Sequence, residues 1–447
     1  MSIQLSDHFT VRRLLRFTLP SIGMMLFSSI YGLVDGFFVS NFVGSTSFAA
    51  VNFILPYLLI LGTCGFMFGA GGSALVSKTM GEGDHERANR IFSMLVYVSI
   101  GSGILLTVLG YLLIRPVAVL LGAEGEMLES CVAYGRIVLI SLTFYIIQVE
   151  FHSFFVTAER PQLGLAVTVA SGLTNIVLDA VLVGLFSLGL TGAAAATVIS
   201  HLVGGIVPLV YFFRPNTSLL RLAEAVWDGR ALGRACANGL SELIGNVSLH
   251  LVGMLYDLQL MRYAGASGVA AYGVLSYFNT IFLAVFFGYT TGTAPVVGYH
   301  YGAQNHSELK GLLKKSLAII GVASVSMFLL AQALAVPLAK IFVGYDPALL
   351  ELTRHGFRIF AFSFLFVGFG YFTPGFFTAL NDAATSATIS MSRTLVAQVA
   401  AVLLLPLVWG LDGIFASIVV AEIVAMTMAG ICLVAKRKKY HYWDKAC

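Results

Sequence analysis

Apolar residues run through this chain in long unbroken stretches, not at every second position or along one face of a helix. Stretches of about 20 residues recur with short polar breaks, the length at which a helix crosses the hydrocarbon of a bilayer. Twelve such helices are predicted. In the first part their limits are 14–40, 50–77, 91–115, 131–155, 163–187 and 191–213; in the second, 236–261, 271–298, 312–336, 352–378, 386–408 and 411–435. A transmembrane barrel would need alternating segments of about 10 residues, and the sequence has none. The pattern predicts an all-α polytopic membrane protein.

The pattern also repeats at one offset, 221 residues. Gly44 maps onto Gly265, Gly81 onto Gly302, Pro116 onto Pro337, and Gly189, Leu190 and Gly192 onto Gly410, Leu411 and Gly413. Chance matches would scatter among offsets. Six helices per copy is an even number, so the copies share an orientation and form parallel repeats about an axis along the membrane normal. The expected units are 1–213 (helices 1–6), a linker at 214–235, 236–435 (helices 7–12) and a basic tail at 436–447.

Composition sharpens this. The chain is 58% hydrophobic and 11% charged, against a usual charged share of about 25%. The net charge of +4 matters less than its placement. Twenty of the 26 Lys and Arg residues fall on one side of the membrane when helices alternate. They include Arg12, Arg13 and Arg16, Lys78, Arg87 and Arg90, Lys310, Lys314 and Lys315, Arg393, and Lys436 to Lys439 with Lys445. The positive-inside rule then puts both termini in the cytoplasm. The basic tail reads as a topology signal. Gly81–Arg90 and Gly302–Lys315 read either as short amphipathic elements on that face or as charged loops. Five scattered cysteines, Cys64, Cys131, Cys236, Cys432 and Cys447, show no paired or metal-ligand spacing and are expected to be free. No cleavable leader is expected: the start is polar and basic and the first apolar stretch is long enough to span.

A carboxylate inside a membrane helix costs several kcal/mol, so each one marks candidate chemistry. Asp35 lies late in helix 1, and Asp179 late in helix 5 one turn beyond Asn175. Both helices run outward, which puts the two acids roughly 25–30 Å from the inner ends. Thr197, about six residues into the returning helix 6, lies at a similar height. Such a group of oxygens could hold a proton or coordinate Na⁺.

The string Asn175-Ile-Val-Leu-Asp179 followed by Gly189-Leu-Thr-Gly192-Ala-Ala-Ala-Ala-Thr197 resembles the multidrug and toxic compound extrusion (MATE) transporters. The loop Gly81-Glu-Gly-Asp84 and its echo Gly302-Ala-Gln-Asn305 resemble that family's loops after helices 2 and 8. The likeness covers essentially the whole chain and is nearest the prokaryotic branch of the DNA-damage-inducible F protein and the staphylococcal-type exporters. It implies a V-shaped, two-lobe fold. It also implies ion coupling at Asp35, Asn175, Asp179 and Thr197, which would be the metal ligands if the ion is Na⁺. Tyr134 would line the cavity, and Pro20 would permit a helix-1 kink. Other branches carry an acid near the middle of helix 7. Here that region holds His250, with Glu242 about two turns before it and Asp257 two turns after; Glu242 is a candidate for the substrate cavity. His201 and Glu422, related by the repeat, read as structural. Glu150, His152 and Arg393 read as residues of the cytoplasmic interface.

The resemblance implies a monomeric antiporter in the cytoplasmic membrane of a prokaryote. It would export bulky, often cationic organic compounds against H⁺ or Na⁺, by alternating access and without a cofactor or nucleic acid. No Walker motif supplies ATP as fuel. The alternatives are a lipid-linked sugar flippase of the same superfamily, a channel, or an intramembrane enzyme. The flippase reading is disfavoured by twelve spans and a sparsely charged middle. The enzyme reading is disfavoured because neither Gly-x-Ser-x-Gly nor His-Glu-x-x-His occurs.

Overall fold

The computed structural model describes residues 3–43, 45–224, 226–344 and 346–443. Gly44 of the repeat, and Lys445 and Cys447 of the tail, lie outside the described residues. Within them the chain is a succession of helices with no strand. We number its spans 1–12. Span 1 is Val11–Phe38 with a π-helical turn, Val39–Val43; span 2 is Ser45–Gly62 and Cys64–Gly81, meeting at Thr63; span 3 is His85–Leu120. Span 4 is Gly125–Leu139 with Leu142–Thr157, span 5 is Pro161–Leu178 with a π-helical segment Asp179–Leu185, and span 6 is Gly189–Phe213. The helical path Gly229–Gly302 leaves helical geometry at Gly265 (φ 62°, ψ −154°), which divides it into spans 7 (229–264) and 8 (266–302). Span 9 is His306–Val343, and span 10 is Pro347–Ala361 with Phe364–Ala379. Span 11 runs from Ala383 through a π segment, Ser392–Gln398, to Trp409, and span 12 is Leu411–Tyr440.

Among the described residues nine helices are long and apolar enough to cross a membrane. Two bent pairs, the parts of span 4 (58°) and of span 10 (49°), raise the number to eleven. Span 7 is as long but more polar, carrying Asn238, Ser241, Glu242, Asn246, Ser248 and His250. The helices overrun their predicted limits by up to seven residues, as at Gly229 and Val343. At the starts of spans 3, 7, 9, 10 and 11 the cause is capping: side chains of Asp84, Asp228, Asn305, Asp346 and Asp382 accept backbone amides of the first turn, so these helices begin outside their apolar stretches. This also removes the amphipathic elements considered at Gly81–Arg90 and Gly302–Lys315. Those residues are the ends of spans 2 and 8, a capped turn, and the first turns of spans 3 and 9. The repeat is visible in the backbone: Gly189 (φ 59°) and Gly410 (φ 57°), 221 residues apart, open spans 6 and 12 with the same left-handed residue.

The two sets of six spans meet near the basic face through crossings that admit no side chain. A Cβ on Gly81 would strike the Tyr299 carbonyl, and one on its repeat mate Gly302 the Lys78 carbonyl. Gly71 and Gly239 make the same kind of contact one level deeper, with Ala235 and Met67. A short strap lies over this closure. The Leu5 amide donates to Glu159 at 2.5 Å, while four residues on, Glu308 accepts from the Phe9 amide at 2.9 Å and pairs with His8 at 2.7 Å. The tail docks as well: Tyr440 donates to Asp382 at 2.8 Å, and Lys436 and Lys439 each approach that carboxylate at 3.7 Å.

Candidate functional site

The four residues expected to hold the ion lie together, and Tyr134, expected to line the substrate cavity, lies against them and is not among the residues lining the space between the halves. Asp35 and Asp179 face one another across spans 1 and 5, with Asn175 beside Asp35. Tyr134 of span 4 lies against both acids and against the Thr197 hydroxyl. Asp179, Asn175 and Tyr134 are 0%, 2% and 3% exposed, whereas Asp35 and Thr197 are half-buried. Both Asp179 oxygens, Oδ1 of Asp35 and Oδ1 of Asn175 complete no hydrogen bond. Buried acceptors of that kind are costly unless a cation or proton satisfies them.

Local structure explains the placement. Each acid sits where its helix widens: Asp179 opens the π segment Asp179–Leu185, Asp35 lies one turn before Val39–Val43, and these two π segments pack on each other. π-helical turns are rare and frequent at functional sites. Asp35 is 24 residues into span 1 and Asp179 18 residues into span 5, so both lie toward the face opposite the basic one. Sequence reasoning missed Tyr31, which is one turn before Asp35 and adjacent to it and to Tyr145. Its spacing from Asp35 (i, i+4) was the available signal. Tyr145 in turn stacks obliquely on His201 (ring centroids 4.9 Å apart), whose Nδ1 lies 2.9 Å from the Ser141 hydroxyl.

Among the described residues, no three His, Cys, Asp or Glu side chains gather as metal ligands. A cation at this site would instead be held by two carboxylates, an amide oxygen and a hydroxyl. Pro20 is buried within span 1, which runs on as a continuous helix through it.

The second half is built differently. Arg393 was expected at the cytoplasmic interface, but it lies ten residues into span 11, in the π segment, with its side chain 11% exposed. Its Nε and a terminal nitrogen reach one Glu422 oxygen at 2.9 and 2.7 Å, and its guanidinium lies 4.0 Å from the centre of the Tyr371 ring. Glu422 is 1% exposed, so this is a buried, compensated ion pair. Glu150 and His152 were also expected at that interface and are instead buried, 0% and 9% exposed. His250 is half-buried and Asp257 exposed.

A cavity separates the halves, with an empty volume of about 550 Å³ that includes open solvent. Met25, Phe66 and His152 line it from the first half; Glu242, Phe287 and Thr290 line it from the second. Phe66 and Phe287 are repeat mates whose rings meet edge to face at 5.8 Å. Glu242 also feels the charge of Arg393.

The model of the MatE family matches the chain twice, at residues 20–181 and 243–403, so one unit recognises both halves. The multidrug export protein MepA of Staphylococcus aureus (strain MRSA252) is 24% identical over 414 residues, covering 92% of this chain and 90% of that protein. MepA of Staphylococcus haemolyticus (strain JCSC1435) is 24% identical over 432 residues, covering 96% and 94%. Among solved structures, an outward-facing multidrug resistance MATE family transporter of the MOP superfamily superposes with a TM-score of 0.91 over 98% of both chains at 20% identity. A MOP superfamily transporter from Pyrococcus furiosus gives 0.89 over 98% of both chains, also at 20%. With two copies of the family unit, a full-length match to multidrug exporters and the same helical fold, the chain belongs to the MATE family.

Proposed function

We propose that this protein is a cation-coupled antiporter that exports bulky, often cationic organic compounds by alternating access. The observation that carries the reading is the Asp35–Asp179 pair, two facing acids in one half with oxygens that no protein group satisfies. A cation arriving from the far side, H⁺ or Na⁺, supplies the missing partner; Asn175 and Thr197 offer further oxygens to Na⁺. Coupling requires that the cation favour one state of the transporter over the other, and by linkage the substrate then loses affinity when the cation binds. The cavity between the halves suits the substrate: Phe66, Phe287 and Met25 give apolar and aromatic contact, and Glu242 gives a negative group. Two lobes, 1–213 and 236–435, would rock about the crossings at Gly81 and Gly302. The linker 214–235 and the tail from 436 would lie in the cytoplasm, and the protein would work as a monomer in the cytoplasmic membrane. MepA is named for multidrug export, which supports the same reading.

The test is reconstitution in vesicles with a fluorescent cationic dye and an imposed proton or sodium gradient. Wild-type protein should drive dye movement with one of the gradients, and Asp35→Asn and Asp179→Asn should abolish it while leaving the purified protein folded. Undiminished gradient-driven movement in both variants removes the site assignment.

A further inference from the structure

Glu150 is a buried acid to which the antiport reading assigns no task. It lies in span 4, seven residues before the helix ends at Thr157, and is 0% exposed. Neither of its oxygens completes a hydrogen bond. The polar side chain facing it is Ser99 of span 3, whose hydroxyl is likewise unsatisfied. Among the described residues Glu150 forms no ion pair. Other titratable groups are carried by its own helix and by those packed on it. His152 lies two residues on, His201 is held by Ser141, and Glu242 lines the cavity. Lys78, Arg87 and Arg90 are engaged at the basic face with Glu82, Asp228 and Glu86.

We propose that Glu150, facing Ser99, is a second station for the coupling cation, on the basic side of the Asp35–Asp179 pair, and that the cation is a proton. The inference rests on the antiport reading. An ionised carboxylate sealed from water with no cation and only one serine hydroxyl beside it costs several kcal/mol. One acid and one hydroxyl offer too few oxygens to replace the hydration shell of a metal ion, but a proton needs only one of them. The other half shows the alternative solution. The repeat places Tyr371 at the counterpart of Glu150 (150 + 221), and there a permanent cation, Arg393, lies over the ring and compensates Glu422. The counterpart of Arg393 in the first half is Gly172, which brings no charge. The first half thus keeps an acid whose counter-charge must come and go.

Buried polar groups line part of the rise toward the Asp35–Asp179 pair, on the face of span 4 turned away from Glu150. Glu150 lies roughly 10 Å, and Asp179 roughly 27 Å, from the basic ends of their helices. Between these heights Gln148 donates to the Ser171 hydroxyl at 3.3 Å, and Ser171 donates to the Ser200 carbonyl at 2.8 Å. Asn175 follows one turn above Ser171, and Oε1 of Gln148 and Oδ1 of Asn175 remain unsatisfied. The second station would receive the proton on its way to the cytoplasm.

The experiment compares wild type, Asp179→Asn, Glu150→Gln and Ser99→Ala in vesicles, reading dye movement against the proton gradient and dye affinity in detergent. Glu150→Gln should bind dye with near wild-type affinity, lose proton-driven movement by about tenfold or more, and lose the dependence of transport on inside pH, the effect of removing one linked protonation. Ser99→Ala, which keeps the acid, should shift the pH of half-maximal transport; it decides the matter if Glu150→Gln does not fold. If Asp179→Asn is inactive while both other variants keep the wild-type pH profile, the Glu150 station is overturned and the antiport reading stands. If sodium alone drives transport, the proton station at Glu150 falls and the antiport reading stands; if Asp179→Asn is unaffected, the acid-pair assignment on which both readings rest falls.

Discussion

Removing Arg393 should be among the most damaging single changes in the membrane-embedded core. Arg393→Met keeps most of the side-chain length and deletes the charge. Glu422, 1% exposed, then loses the nitrogens at 2.9 and 2.7 Å. Its other oxygen, Oε2, is already unsatisfied beside Gly370. Breaking a buried pair by removing one partner costs about 3–5 kcal/mol, against a total of about 5–15 kcal/mol for a typical protein. Glu422→Gln should cost less, because the guanidinium keeps the Tyr371 ring at 4.0 Å and gains an amide oxygen in place of the carboxylate. The double variant Arg393→Met with Glu422→Gln removes both charges and should be more stable than Arg393→Met alone. The assay is unfolding of the purified, detergent-solubilised protein for all four members of this cycle. Strictly additive losses would refute the reasoning, since residues that act as a buried unit must show a coupling energy.

Three further outcomes are expected. Gly302→Leu drives a side chain into the Lys78 carbonyl, so the basic face should fail to close; cross-linking between paired cysteines placed on spans 2 and 8 should drop, and unchanged cross-linking would dismiss the close crossing. Pro20→Ala restores a backbone donor inside span 1, and slower transport with unchanged dye affinity is expected if that helix bends in the cycle; unchanged rates would argue against bending. Burial disfavours charge on Asp382, but the Tyr440 hydroxyl, the Thr385 side chain and amide, and Lys439 outweigh it and hold that carboxyl below its ordinary value. A depressed value means that its contribution to tail docking is complete above the unfolded value of about 3.9 and is lost only as pH falls through the lower folded one. Proteolysis after Lys436 should therefore be slow and flat from neutral pH to about 5, and a tail released already at pH 6 would contradict this.

Much of the fold was readable because it is written in long apolar runs. The repeat offset, the spans and the gathering of Asp35, Asn175, Asp179, Thr197 and Tyr134 all follow from spacing, direction of travel and the resemblance those strings carry. What escaped was partnership at a distance. Arg393 looked like a loop residue because a positive charge near a predicted helix start usually is one. Its acid lies 29 residues away on another span, and no local pattern reveals that. Glu150 was set at the interface for the same reason, since polar residues near a helix end are commonly wet. The basic tail read as a topology signal, yet Lys436 and Lys439 also have a specific acid to meet in Asp382.

The strap near the start of the chain sets a limit on motion. Leu5 is tied to Glu159 of one half, and His8 and Phe9 to Glu308 of the other. Four extended residues reach about 14 Å. Any wider gape at this end must first unfasten one of those knots, so the anchoring there acts as a tether whose length meters how far the vestibule can swing.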